Sequence, residues 1–137
     1  MRNEIIPTVF AYKKKEFVKR FRILSRISNK LHVDFMDGKL VKNKGVALKD
    51  VPPLSRKIDF EAHLMVRNPR PWVAKCKKKG FKKIMFHYEA TKTGIKMQKM
   101  IDLIHKHKMK AFLTFNPETG IKKVVESVNK VEGLDGI

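Results

Sequence analysis

The sequence predicts an α/β fold: a parallel sheet laid down as strand–helix units, holding about five βα units and the start of a sixth strand of a truncated (β/α)8 barrel. Three observations predict it. Strand-like apolar segments recur about every 25–28 residues, anchored at Ile5, Leu31, Ile58, Ile84, Phe112 and Ile137. The stretches between them carry helical spacing. His32, Asp34, His63 and His87 fall at or near the C-terminal ends of those segments, where barrels gather their functional groups. A Rossmann-type open sheet is the other parallel option, but no G-x-G-x-x-G follows the first strand.

The elements follow in order. The first strand is read around Ile5–Val9. Phe17, Phe21 and Leu24 then share one helical face, with Val18 beside them. Leu31–Met36 alternates, so His32 and Asp34 point to the same side of an extended segment, and Asp37-Gly38 turns the chain. The third strand runs from Ile58 through Ala62-His63-Leu64-Met65-Val66. Asn68-Pro69 reads as a helix start, with Asn as cap and Pro in the first turn, and Trp72 should pack that helix onto the sheet. Ile84–His87 is the fourth strand. Met97, Met100, Ile101 and Ile104 mark the next helix, and Phe112 marks the fifth strand. Thr119 should cap a last helix whose apolar stripe is Ile121, Val124, Val125 and Val128. Leu134–Ile137 opens a sixth strand.

A full barrel has eight units and about 250 residues. The single domain, residues 1–137, is therefore expected to be a piece of a barrel, with completion of the sheet by self-association as the other possibility.

Composition limits the function classes. At 42% hydrophobic residues the chain can build a core. No run of about 18 apolar residues suggests a membrane span, and the N-terminus does not read as a signal peptide. Cys76 has no partner for an internal disulfide, which fits a reducing cytoplasm, the expected location. The formal net charge is +19. The lysines are spread along the chain, with no RNA-binding signature or zinc-finger spacing, so they are read as solvated faces in preference to a nucleic-acid site. The same field would attract a phosphorylated small substrate.

An imidazole and a carboxylate side by side can hold a divalent metal, and His32, Asp34 and His63 are the candidates. His105 and His107 read as surface residues, Cys76 as inert, and nothing brings Glu89 and Glu118 together.

In order and spacing, Ile6-Pro7-Thr8-Val9, His32-Val33-Asp34-Phe35-Met36-Asp37-Gly38, Ala62-His63-Leu64-Met65-Val66 with Asn68-Pro69, Phe86-His87-Tyr88-Glu89-Ala90 and Asn116-Pro117-Glu118-Thr119 resemble ribulose-phosphate 3-epimerases. The resemblance runs from residue 3 to the last residue. It implies a TIM barrel that interconverts ribulose 5-phosphate and xylulose 5-phosphate by metal-assisted proton transfer at C3, through an enediolate. An allulose phosphate epimerised at the same carbon would look the same. The family's metal is held by two His and two Asp, and three of these positions match: His32, Asp34 and His63. The resemblance makes Asp34 an acid/base group as well. It gives Met36 and Met65 to the wall against the sugar, Thr8 (where Ser is usual) and His63 to substrate contact, and His87 to packing or to support of the ligands. Lys42 stands where Pro is usual.

Inversion at C3 needs two acid/base groups, one on each face of the carbon. The second Asp and the phosphate-binding loops of the family lie beyond Ile137. A chain serving one face is expected to exchange the proton but to invert poorly. The implied cofactor is Zn, Fe, Mn or Co, and the implied partner a phosphorylated pentulose. The alternative reading is a non-catalytic, epimerase-derived module binding nucleic acid or another polyanion.

Overall fold

A computed structural model describes residues 4–137. Among them five strands, β1 (Thr8–Val9), β2 (Lys30–Met36), β3 (Asp59–Met65), β4 (Lys83–His87) and β5 (Lys110–Thr114), form one sheet in the order β1-β2-β3-β4-β5. Every neighbouring pair is parallel. The chain is thus a parallel α/β sheet of the kind from which TIM barrels are built. Leu134–Ile137 contributes less than a strand. Gly136 bridges Phe112 in parallel, with Leu113 N–H donating to Gly136 O at 3.1 Å. A Cβ at Gly136 would lie 2.3 Å from the Phe112 ring, so only glycine lets the backbone approach there.

The period of two divides the sheet into unlike faces. Val9, Leu31, Val33, Phe35, Phe60, Leu64, Ile84, Phe86 and Leu113 are fully or almost fully buried. The helices cover this face: α1 (Lys14–Ile27), α2 (Arg70–Lys79) and α4 (Gly94–Lys106). In α1, Phe17 and Phe21 are buried as their spacing predicts. In α4, Met97, Met100, Ile101 and Ile104 are all buried. Trp72 packs α2 onto the sheet, its ring centroid 5.4 Å from that of Phe35. The alternate residues, which include His32, Asp34 and His63, point to the other face.

Three expectations are corrected. The repeat of strand then helix fails once: β2 and β3 are joined by a loop whose only helical piece is a 3-10 turn at Leu48–Asp50. That stretch holds Gly38, Gly45, Pro52 and Pro53 and no helical period, so the even spacing of the strands concealed an irregular connection. Asn68 is not a cap. It is exposed, and Pro69 takes the N-cap position of α2 with no side-chain hydrogen bond. Thr119 does not cap α5 (Ile121–Val128), whose N-cap is Gly120. The α5 stripe is not buried either. Ile121 and Val125 are 75% and 52% exposed, and Ser127 is the buried residue. A helical period shows that a helix has an apolar face, not that something covers it.

Two turns test the local chemistry. Gly80 ends α2 at φ +114°, its N–H donating to Cys76 O and Lys77 O at 3.1 Å each. Gly80→Ala places a Cβ in the left-handed region and should cost about 1–2 kcal/mol, seen as a lower urea midpoint at unchanged m-value. Asp37 holds the turn after β2. Its carboxylate accepts the N–H groups of Lys39 (2.8 Å), Leu40 (3.0 Å) and Arg67 (2.8 Å). Burial works against ionisation of Asp37, but those three donors outweigh it and hold its pKa below the ordinary value. A depressed carboxylate stabilises above its unfolded pKa and loses that contribution as pH falls through its folded pKa. Asp37→Ala should therefore cost about 1 kcal/mol at pH 7, the low end for charge-assisted bonds because the site is wet. The difference from the parent should shrink in urea melts as pH falls below the ordinary carboxylate range and through the depressed pKa of Asp37.

Candidate metal centre

The open face of the sheet assembles the site from strands that are distant in sequence. β2 presents His32, Asp34 and Met36, and β3 presents Glu61, His63 and Met65. The register sets Thr8 beside His32, His32 beside Glu61, Asp34 beside His63, and Met36 beside Met65. Paired residues on parallel strands point to the same side, so the sequence-derived candidates share one face. Thr8 is exposed, while Met36 and Met65 are half-buried next to the cluster.

Asp34 is the hub. Its Oδ1 lies 3.0 Å from His32 Nε2 and 2.9 Å from His63 Nδ1. Ligand atoms of His32, Asp34 and His63 all lie within 4.8 Å of one another. Two ring nitrogens and a carboxylate oxygen suit zinc or a similar first-row ion better than the all-oxygen cages of calcium and magnesium. The residues present therefore fit a divalent transition metal.

The outer nitrogen of each imidazole is occupied, as a metal-binding His requires. His32 Nδ1 lies 2.6 Å from Glu61 Oε1, and the other Glu61 oxygen takes Lys83 Nζ at 2.6 Å. Lys83 Nζ also sits 4.3 Å from the centre of the Phe112 ring. His63 Nε2 lies 2.8 Å from His87 Nε2, and His87 Nδ1 lies 3.2 Å from Glu89 Oε2. Burial would lower the His32 pKa, but the Asp34 and Glu61 hydrogen bonds push it up to about 9 in the metal-free chain. Burial also works against ionisation of Asp34, and the two imidazoles overcome it, holding the carboxyl far below the usual range. Glu61 is drawn down to about 2: burial opposes this, and His32 and Lys83 outweigh it. His87 is held below its ordinary value by burial and by His63, against the opposing pull of Glu89 and Asn116.

The structure thus brings together Thr8, His32, Asp34, Met36, His63 and Met65, and gives His87 a defined contact with His63. Sequence reasoning missed Glu61 and Lys83. The signal was present, because Glu61 precedes His63 by two residues and must share its face. Glu89 was set beside Glu118, but its partners are His87, Asn116 and Thr119, and Glu118 is exposed. His105 meets Asp135 at 2.9 Å on the surface, and Cys76 is buried with its thiol pushed up to about 12. No helix among the described residues is long and apolar enough to cross a membrane.

Residues 4–134 match the model of the ribulose-phosphate 3 epimerase family. The chain is 30% identical over 123 residues to a ribulose-phosphate 3-epimerase of Candida glabrata, covering 77% of this chain and 49% of that protein. It is 32% identical over 107 residues to a ribulose-phosphate 3-epimerase, cytoplasmic isoform, of Oryza sativa subsp. japonica, covering 74% and 46%. It is 31% identical over 97 residues to a ribulose-phosphate 3-epimerase of Chlamydia muridarum, covering 69% and 41%. The chain spans about half the length of the curated relatives it matches.

Proposed function

The chain belongs to the ribulose-phosphate 3-epimerase family, and from that premise we propose that it serves a metal-assisted epimerisation at C3 of a phosphorylated pentulose, ribulose 5-phosphate to xylulose 5-phosphate. The observation that carries this reading is the convergence of His32 Nε2, Asp34 Oδ1 and His63 Nδ1 on one face of the sheet. On this reading residues 1–137 are a partial TIM barrel, five strands and the start of a sixth, in a cytoplasmic protein that self-associates if its sheet is completed by a second copy.

His32, Asp34 and His63 would hold the divalent ion, of which Zn, Fe, Mn and Co suit the donor set. When bound, such an ion acts as a Lewis acid, stabilising the negative charge that develops on the substrate oxygen and acidifying the adjacent C–H. Asp34 is ionised at neutral pH, so it can accept the C3 proton and return it. Met36 and Met65, side by side in register, give the sugar an apolar wall, and the Thr8 hydroxyl is available to its oxygens. His63, read from the sequence as a substrate contact too, has Nδ1 turned to Asp34 and Nε2 to His87, which leaves it the role of ligand. The net charge of +19 draws in a phosphate dianion.

The test needs only one acid/base group. Ribulose 5-phosphate incubated with the protein and Co2+ or Zn2+ in D2O should exchange its C3 hydrogen, as read by proton NMR, and the exchange should stop on chelation. A folded, metal-loaded protein that neither exchanges nor inverts C3 is not an epimerase of this substrate. Retention by nucleic acid with unchanged C3 would favour the polyanion-binding alternative.

A further inference from the structure

We propose that the cleft between the start of α2 and the start of α4 is an anion site for a small molecule bearing two phosphate groups. It lies outside the proposed epimerisation and shares no residue with the His32/Asp34/His63 cluster.

The cleft is a cavity of about 410 Å3, inside the range of about 300–1,000 Å3 usual for small-molecule sites. The turn after β3 supplies Arg67, the first residue of α2 supplies Arg70, and α4 supplies Lys96 and Lys99. Pro69, Met100 and Thr91, the last residue of α3 (Tyr88–Thr91), are buried and form its base. Four cations thus line one cleft, and no carboxylate lines it. The lysines that do pair with acids among the described residues lie elsewhere, such as Lys14 with Asp50, Lys30 with Glu4 and Lys83 with Glu61.

These cations stand where the fold least favours them. Arg70 opens α2 and Lys96 is in the first turn of α4, and neither first turn holds an acid. The N-terminal end of a helix carries partial positive charge, which favours anions and opposes cations. The four side chains also repel one another. The folded chain therefore holds a local conflict that a bound polyanion removes, and such conflicts mark functional sites. The backbone under the cations is already fixed. The Arg67 N–H donates to Asp37 Oδ2 at 2.8 Å, and the Lys96 N–H donates to the Thr93 hydroxyl at 3.3 Å. Arg70 lies between Pro69 and Pro71, whose rings restrict the chain on both sides. Lys96 and Lys99, three apart on one helix, share a face.

The donor set selects the ligand. Guanidinium forks grip phosphate oxygens two at a time, and ammonium groups add mobile point charges. One phosphate group carries about −1.5 to −2 at neutral pH, so a single one leaves about half of the positive charge uncompensated. Two linked phosphate groups carry about −3 to −4 and match the four cations.

The experiment is calorimetric titration of the metal-free chain with pyrophosphate, and then with inorganic phosphate. It is run at about 0.15 M salt, where attraction between exposed charges is screened beyond about 8 Å. Pyrophosphate should saturate one site, and inorganic phosphate should bind at least about tenfold more weakly. Arg70→Gln with Lys99→Gln should weaken pyrophosphate at least about tenfold. Lys78→Gln with Lys79→Gln, at the other end of α2, removes the same charge and should change affinity less than about twofold. If the first pair does not fold, Arg67→Gln with Lys96→Gln should show the same loss. Three results overturn the proposal: no saturable binding, inorganic phosphate as tight as pyrophosphate, or equal losses in the cleft pair and the control pair. The last would mean that only the diffuse field of the +19 chain attracts the anion. None of these results bears on metal binding or C3 exchange, which use other residues.

Discussion

Replacing Asp34 with asparagine is expected to abolish measurable binding of Co2+ or Zn2+ in calorimetric titration, a loss larger than the roughly 10–100-fold caused by removing an outer partner. Asp34 is the only carboxylate in the His32/Asp34/His63 cluster, and its Oδ1 is within 3.0 Å of both imidazoles. The amide keeps the shape but removes the negative charge that offsets a dication. Its NH2 would also compete for the position that the ring nitrogens share. The same substitution should end C3 hydrogen exchange, because the proton acceptor goes with the ligand. The fold should survive, since the site lies on the open face and the core on the other. Unchanged metal affinity in a folded Asp34→Asn chain would remove Asp34 from the site.

The largest expected effect on stability is at Phe60. This ring on the central strand β3 is 1% exposed. It stacks on Phe21 of α1 at 5.6 Å and 8°, and meets the edge of Phe81 at 6.4 Å and 78°. Phe60→Ala removes the ring that joins α1 and the end of α2 to the sheet, and should cost about 3–5 kcal/mol. Against a typical domain stability of about 5–15 kcal/mol, that takes much or all of the reserve. Thermal unfolding monitored by circular dichroism should move down by about 10 °C or more. Val125→Ala on the exposed stripe of α5 is the contrast, and should stay within about 0.5 kcal/mol. Equal effects at the two positions would mean that α5, and not the β3 face, carries core packing.

The parts of the fold that were legible are those with a strong period and buried partners. Alternation in Leu31–Met36 and around His63 was enough to place three candidate ligands on one face, because side-chain direction in a strand depends on parity alone. The i, i+3, i+4, i+7 stripe at Met97–Ile104 was enough for α4. The loop between β2 and β3 was not legible as such, since equal spacing of strands says nothing about what fills the gap. Caps were misread for a common reason: Asn68 and Thr119 are good cap types, but whether a side chain caps depends on what else it can reach. Thr119 reaches Glu89 on another element. Glu61 and Glu89 were hidden because the partners that define them, His32 and His87 with Thr119, lie across strand boundaries. Residue type showed them only as acids.

On the proposed function, His32, Asp34 and His63 hold a divalent metal on the open face of the sheet. Anomalous diffraction from crystals grown with Co2+ tests it most directly. One strong peak is expected within bonding distance of His32 Nε2, an Asp34 carboxylate oxygen and His63 Nδ1. A peak held by other residues, or no peak at saturating Co2+, would contradict it.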